Sequence, residues 1–282
     1  MLITGANGQL GQDFQKLFEK EGINFIATDI TPNYDSVDIT NLDELRDFAR
    51  RNPIEIIINC AAYNAVDKAE DEWKSAYLIN GIGPRNLALV ANEINATLIH
   101  YSTDFVFNGQ KGSPYTILDT PSPISKYGES KLLGEKFVQQ HANRYYLIRV
   151  SWLFGKGNEN FVTKVLRWSK GKNELKIVID EVSSPTYTID LANATYRLLK
   201  TEAYGLYHIT NSGKCSRYEW SKYILDEVGW EGNLLETTCK DFDLPAKRPE
   251  FSVLDNFGTK EIIGYELPNW KDATSRFLRE LG

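Results

Sequence analysis

Tyr127 and Lys131 stand four residues apart in "KYGESKLLGEK", residues 126–136. On a helix starting near Ser125, positions i and i+4 share one face, so the phenol and the ammonium project together. A phenol can donate or accept a proton, and a nearby cation favours its ionised form. The pair therefore suits proton exchange with a substrate oxygen. Read alone, the same spacing also describes an exposed pair on a surface helix, with Leu132, Leu133 and Phe137 packing it onto the body of the protein. Just upstream, "HYSTDFVFNG" carries Ser102, Thr103 and Asp104 at the end of an apolar run. These groups can hold a substrate oxygen or simply cap a turn.

A second set of residues suits a phosphorylated cofactor. "ITGANGQLG" spaces Gly5, Gly8 and Gly11 between an apolar run and a helical stretch. A pyrophosphate needs bare backbone N–H groups, and a helix N-terminus adds partial positive charge. A simple strand-to-helix turn would use the same residues. Asp29 follows the second apolar run, 18 residues after Gly11. A carboxylate there is placed for the adenosine ribose hydroxyls and would repel a 2′-phosphate, which favours NADH over NADPH; a turn or cap role is the alternative. Ala61 and Ala62, after the third run, would let a cofactor pass closely over a sheet, although helix packing also selects alanine.

Positioning these residues requires a sheet whose strand ends meet. The runs "MLIT" (1–4), "NFIAT" (24–28), "EIIIN" (55–59), "TLIHYS" (97–102) and "YYLIRVS" (145–151) are short and continuously apolar. That pattern belongs to strands covered on both faces of a parallel sheet. Helical stretches at 9–21, 42–51, 72–95 and 128–142 lie between them, another falls near 189–200, and "GLYHIT" (205–210) reads as a last strand. The expectation is a doubly wound, Rossmann-type α/β sheet with a smaller C-terminal substrate-binding domain. Residues 1–152 plus about 187–210 form the dinucleotide-binding domain. The substrate-binding domain takes about 153–186 plus 211–282.

Bulk properties narrow the classes. Charged residues make up 25% and the net charge is −6, which argues against a nucleic-acid partner. Cys60, Cys215 and Cys239 are odd in number and widely separated, so neither a disulfide framework nor a paired-cysteine metal site is expected. The three histidines are equally scattered, and the expectation is no metal. No apolar run reaches a membrane span of about 18 residues, and "MLITGANG" leaves no room for a signal peptide. A cytoplasmic protein with no membrane partner is expected.

Taken together, these motifs resemble the extended, nucleotide-sugar-modifying branch of the short-chain dehydrogenase/reductase superfamily. Within it the chain is most similar to the dTDP-4-dehydrorhamnose reductase family. The similarity is carried by "TGANGQLG" (4–11), "NCAAYNAVDKAE" (59–70), "YSTDFVFNG" (101–109), "YGESKLLGE" (127–135), "RVSWLFG" (149–155), "SSPTYTIDLA" (183–192), "GLYHIT" (205–210) and "KRPEFSVLDN" (247–256), in the family's order along the chain.

The resemblance implies an NADH- or NADPH-dependent reduction of the 4-keto group of dTDP-4-dehydro-L-rhamnose. Thr103, Tyr127 and Lys131 would be catalytic. Thr103 would bond the keto oxygen and Tyr127 would donate the proton. Lys131 would hold the nicotinamide ribose and bring the phenol from about 10 toward 7. Gly8, Gln9 and Leu10 would contact the pyrophosphate, and Asp29, Asp38 and Ile39 the adenosine. Ala62, Tyr63, Asn64 and Tyr101 would flank the middle of the cofactor. Val66, Thr103, Asp104 and Trp152 would contact the substrate. Arg248 is a candidate for its diphosphate by bidentate pairing, or else a solvated surface arginine. Phe105, Asn108 and Asn64 depart from the family's usual Tyr, Asp and Thr. Some members bind magnesium at a dimer interface. The matching positions here are Asp13 and Ile189, and isoleucine cannot ligate the ion, so a monomer or weak homodimer is expected.

Two rival functions remain at this level. One is a reductase or epimerase for another 4-keto nucleotide sugar; a dehydratase is disfavoured because Phe105 stands where a second carboxylate is needed. The other is a non-catalytic NAD(P)-binding subunit like the regulatory subunit of methionine adenosyltransferase, which keeps the same Tyr–Lys pair. Turnover separates them.

Overall fold

The computed structural model describes all 282 residues. The first half alternates strands and helices: β1 (Leu2–Thr4), α1 (Gln9–Glu21), β2 (Ile26–Thr28), α2 (Leu42–Arg51), β3 (Ile56–Asn59), α3 (Lys68–Asp71), α4 (Trp73–Tyr77), α5 (Gly83–Glu93), β4 (Thr97–Thr103), α6 (Lys126–His141) and β5 (Tyr145–Val150). Then come β6 (Leu153–Phe154), α7 (Phe161–Ser169), β7 (Glu174–Val178), β8 (Val182–Ser183), β9 (Thr186–Tyr187), α8 (Thr188–Leu199) and β10 (Gly205–His208). The chain ends with β11 (Cys215–Ser216), α9 (Arg217–Glu227), β12 (Asn233–Thr237), α10 (Thr259–Ile263) and α11 (Trp270–Leu281).

Six strands form one sheet in the order β2-β1-β3-β4-β5-β10, with every pairing parallel. Strand direction and order make this the doubly wound fold read from the sequence. The order reverses between β1 and β3, and ligands in such sheets bind beyond the strand C-termini at that switch point.

The apolar runs are continuous because neighbouring residues feed opposite faces. Ile3, Ile58 and Ile99 pack with Phe14 and Phe18 of α1 and Leu191 and Leu198 of α8. Their neighbours Leu2, Ile57 and Leu98 pack on the other face with Leu45 of α2, Leu87 of α5 and Val138 of α6. A third core gathers Phe154, Val162, Val165, Tyr187, Trp220, Trp270 and Phe277 from α7, α9, α11 and the short strands between them.

Two local expectations change. The stretch 72–95 is helical as expected but not uniform: α4 runs without a break into a π-helical turn over Leu78–Ile82, which runs on into α5 at Gly83. Helix α6 starts where expected, with Ser125 Oγ accepting from the Gly128 N–H at 3.2 Å, but its inward face is not the leucine face. Tyr127, Gly128, Ser130, Lys131, Gly134, Glu135 and Val138 are buried, whereas Leu132, Leu133 and Phe137 are only half-buried. Buried polar partners and close backbone neighbours, described below, explain that orientation. No helix is long and apolar enough to cross a membrane.

Candidate functional site

The parallel sheet brings the ends of β1, β2, β3 and β4 to one edge, and the predicted residues collect there. Gly5 leaves β1 with φ +67, and a Cβ on it would overlap the backbone of Cys60 and Ala61. A Cβ on Gly11 would sit 2.5 Å from the Gly5 carbonyl oxygen. Gly8 precedes α1 without a side-chain cap, and the N–H groups of Gln9, Leu10 and Gly11 have no acceptor in the chain. A bare, positively polarised cradle of this kind fits a cofactor pyrophosphate.

Asp29 follows β2, with Oδ2 accepting from the Asn7 N–H at 2.9 Å and Oδ1 from the Thr31 N–H at 3.0 Å. Each oxygen keeps a lone pair for a ribose hydroxyl. Asp38 is exposed, while the Ile39 side chain lies in the core and its carbonyl is held by Asn86 Nδ2 at 3.1 Å. Ala61, Ala62 and Tyr63 are half-buried past β3, and Asn64 is exposed. Tyr101 departs from expectation. Its ring is buried beside Phe14, and its hydroxyl donates to Thr195 at 2.8 Å, because the core behind the sheet offers it a partner. Only its main chain reaches the site.

At the end of β4, Thr103 Oγ1 donates to Asp104 Oδ1 at 3.0 Å and accepts from the Phe105 N–H at 3.2 Å. Tyr127 lies beside Thr103 in a small apolar nest with Ala69 and Ala76, against Val66, Tyr63 and Phe105. The Phe105 ring meets it edge-on, with centroids 5.6 Å apart. Burial pushes the phenol up to about 12, only partly opposed by the Thr103 hydroxyl. The chain alone thus moves the tyrosine opposite to the expected depression. Lys131 is not directed at it: Nζ donates to the Tyr101 carbonyl at 2.6 Å, and burial lowers the ammonium to about 8 against the opposing charge of Glu135.

Several polar groups missed in the sequence fix this geometry. Asn80, in the π-helical turn, accepts from the Tyr63 N–H at 2.8 Å and donates to the Tyr63 carbonyl and to Ser130 Oγ, each at 3.0 Å. Ser130 in turn donates to the Tyr127 carbonyl at 2.7 Å. Asn80 thereby ties the loop after β3 to the Tyr127 turn of α6, and an asparagine within an apolar helical stretch was its only signal. Asn59 Oδ1 takes the Thr4 hydroxyl at 2.8 Å and the Ala61 N–H at 3.1 Å, so its Nδ2 donates to His100 Nδ1 at 3.0 Å. His100 is held neutral by burial and by Lys131. Glu135 receives Arg149 through two bonds, at 2.9 and 2.7 Å, and also the Ser102 hydroxyl, locking α6 to β4 and β5.

Asp104 is 1% exposed, which argues against direct substrate contact. Besides Thr103 it takes the hydroxyls of Ser183 and Ser252, from segments distant in sequence. Burial raises it to about 6 despite those bonds. Trp152 is half-buried and carries φ +46, a left-handed backbone costing a bulky residue about 1–3 kcal/mol. Its ring stacks on Trp220 with centroids 5.7 Å apart. Arg248 is already engaged. It donates to Asp67 Oδ2 at 2.7 Å and to the Ala246 carbonyl at 3.0 Å, so its charge is already paired within the chain rather than simply solvated. Asp13 is buried, accepts from Thr188 at 2.6 Å and pairs with Lys16 at 3.0 Å, while Ile189 packs against the third core.

Comparison with known proteins completes the description. The family described as the RmlD substrate binding domain matches residues 1–282. A spore coat polysaccharide biosynthesis protein, SpsK of Bacillus subtilis, is 38% identical over 99% of this chain and 97% of its own. Among solved structures, a dTDP-4-dehydrorhamnose reductase of Clostridium acetobutylicum is 39% identical with a TM-score of 0.94, covering 99% of this chain and 98% of that one. The Bacillus anthracis dTDP-4-dehydrorhamnose reductase, solved in complex with NADP, is 38% identical with a TM-score of 0.93 over the same shares.

Proposed function

This chain belongs to the RmlD substrate binding domain family, and from that membership we infer that it is a dTDP-4-dehydrorhamnose reductase. It is an NAD(P)H-dependent oxidoreductase that reduces the 4-keto group of dTDP-4-dehydro-L-rhamnose to give dTDP-L-rhamnose. The observation that carries the site assignment is the Thr103–Tyr127 contact at the end of β4, with Lys131 one helical turn on, held by the Tyr101 carbonyl of the same strand, and the bare glycine cradle at the same edge of the sheet.

Gly5, Gly8, Gln9, Leu10 and Gly11 would hold the cofactor's diphosphate, and Asp29, Asp38 and Ile39 its adenosine end. Ala61, Ala62, Tyr63, Asn64 and the Tyr101 main chain would line its middle, with Tyr127 and Lys131 at the nicotinamide ribose. When bound, the reduced nicotinamide supplies the hydride. The protein supplies the proton and the alignment. Tyr127, protonated at neutral pH, donates to the C4 oxygen as negative charge develops there. Thr103 already gives its one proton to Asp104. On release from Asp104 it can turn that proton toward the C4 oxygen or toward the oxygen of Tyr127, where it favours the phenolate left after proton transfer. Lys131 keeps a cation near the phenolate left behind. Val66 and Trp152 would form the wall against the sugar.

The division into residues 1–152 with about 187–210, and about 153–186 with 211–282, belongs to the same proposal, as do the cytoplasmic setting and a monomer or weak homodimer. The test is product identification: the protein incubated with NADPH and dTDP-4-dehydro-L-rhamnose should yield dTDP-L-rhamnose by NMR. Unchanged substrate would count against the reading.

A further inference from the structure

Two arginines meet at one buried carboxylate near this cleft, and they differ in what they leave unused. Glu181 lies 3.4 Å from Arg217 Nε and 3.8 Å from Arg248 Nε. Both terminal nitrogens of Arg248 already donate within the chain, to Ala246 and to the carboxylate of Asp67, which neutralises its charge. Arg217 is the opposite case. Only its Nε donates, at 3.4 Å to Glu181, and its two terminal nitrogens have no acceptor in the chain. Its side chain is 17% exposed, so it is mostly withdrawn from water yet open on one side.

The surroundings hold that guanidinium in place. It lies over the Trp152 ring at 3.5 Å and the Phe161 ring at 4.4 Å, contacts that favour a planar cation. Trp152 is the residue with the strained backbone. Arg217 and Asp104 are close enough for each to steady the other's charge, which sets Arg217 beside the Thr103–Asp104 turn. A fixed fork of N–H donors with no acceptor, beside the turn where the sugar is proposed to bind, matches a phosphoryl group in geometry and charge.

We propose that Arg217 is a specificity-determining residue that takes the phosphoryl group linking the sugar to its nucleotide, in place of the Arg248 contact expected from sequence. Glu181 anchors its Nε, Trp152 and Phe161 support its plane, and the terminal nitrogens face the ligand. The inference rests on the reading that this cleft binds a dTDP-sugar.

The test compares wild type with Arg217→Met and Arg217→Lys, using dTDP binding by calorimetry and steady-state kinetics with the 4-keto sugar nucleotide. Arg217→Met should weaken dTDP and raise the sugar-nucleotide KM by about 10–100-fold, the worth of a charge-assisted bond, with the KM for NADPH unchanged; the melting temperature falls because Glu181 loses its partner, and the unchanged NADPH KM shows that the fold survives. Arg217→Lys keeps the charge but loses the fork, and should fall between. Equal dTDP affinity in wild type and Arg217→Met would overturn the proposal, as would equal loss of dTDP and NADPH affinity, which marks a structural role. Absence of turnover by wild type would instead overturn the reductase reading, and the dTDP arm decides the Arg217 assignment without turnover.

Discussion

Lys131 Nζ donates to the main-chain oxygen of Tyr101 at 2.6 Å, so the cation of α6 is tethered to the strand that ends in Thr103. Burial lowers this ammonium to about 8. Its proton is lost at a pH where an exposed lysine keeps it, and with it goes the charged donor proposed for the cofactor ribose. Affinity for NADPH, measured by fluorescence titration, should weaken as pH rises through about 8, and Lys131→Met should show the weak affinity at every pH. A flat profile up to pH 9.5 in wild type contradicts this role.

Asn80 makes three hydrogen bonds that join the loop after β3 to α6. At about 1 kcal/mol each, Asn80→Ala should cost about 1–3 kcal/mol of stability. Because Tyr63 and Tyr127 then lose their common reference, NADPH affinity should also drop. Chemical denaturation and cofactor titration check both; stability loss with intact affinity would reduce Asn80 to a packing residue.

Asp104 makes stability depend on pH. Its carboxyl titrates at about 6 when folded, against an ordinary value of 3.8, so between those values the folded chain binds the extra proton. Its contribution is complete below about pH 4 and is lost as pH rises through about 6, amounting to about 3 kcal/mol for a gap of roughly two units. Denaturation free energies measured from pH 4 to 7 should fall along this stretch in wild type, and the fall should be smaller in Asp104→Asn. Equal slopes would contradict the assignment.

Asp29 has acceptors to spare where the adenosine end is proposed to lie, and there it would repel a 2′-phosphate. NADH should give the higher kcat/KM in wild type, and Asp29→Ala should shift the ratio toward NADPH by roughly tenfold. A strong NADPH preference in wild type would show that the carboxylate does not set the choice.

The sheet was legible because its strands are short, apolar and separated by helical stretches, and because three glycines mark the turn from β1 into the first residues of α1. The orientation of α6 was not. Leucine content suggested that Leu132, Leu133 and Phe137 face inward, yet the helix turns Tyr127, Ser130, Lys131 and Glu135 toward the sheet. Asn80, Tyr101 and Arg149 wait across the gap with matching partners. Gly128 and Gly134 let the backbones approach, since a Cβ on either would overlap the Phe105 or Asn80 carbonyl. Such pairings join residues 14 to 50 apart, and no local period announces them. The same holds for Ser183 and Ser252 on Asp104, 79 and 148 residues away. Arg248 sits in the expected segment, but its carboxylate partner lies 181 residues upstream, which spacing along the chain could not reveal.

The central claim is that Tyr127 delivers the proton to the C4 oxygen. Steady-state oxidation of NADPH with dTDP-4-dehydro-L-rhamnose, compared between wild type and Tyr127→Phe, tests it most directly. The account predicts turnover by wild type and a loss of at least about 100-fold in kcat for Tyr127→Phe, with NADPH affinity and melting temperature preserved. Wild-type kcat in the phenylalanine variant, or no turnover by a wild-type protein that binds NADPH tightly, would contradict it.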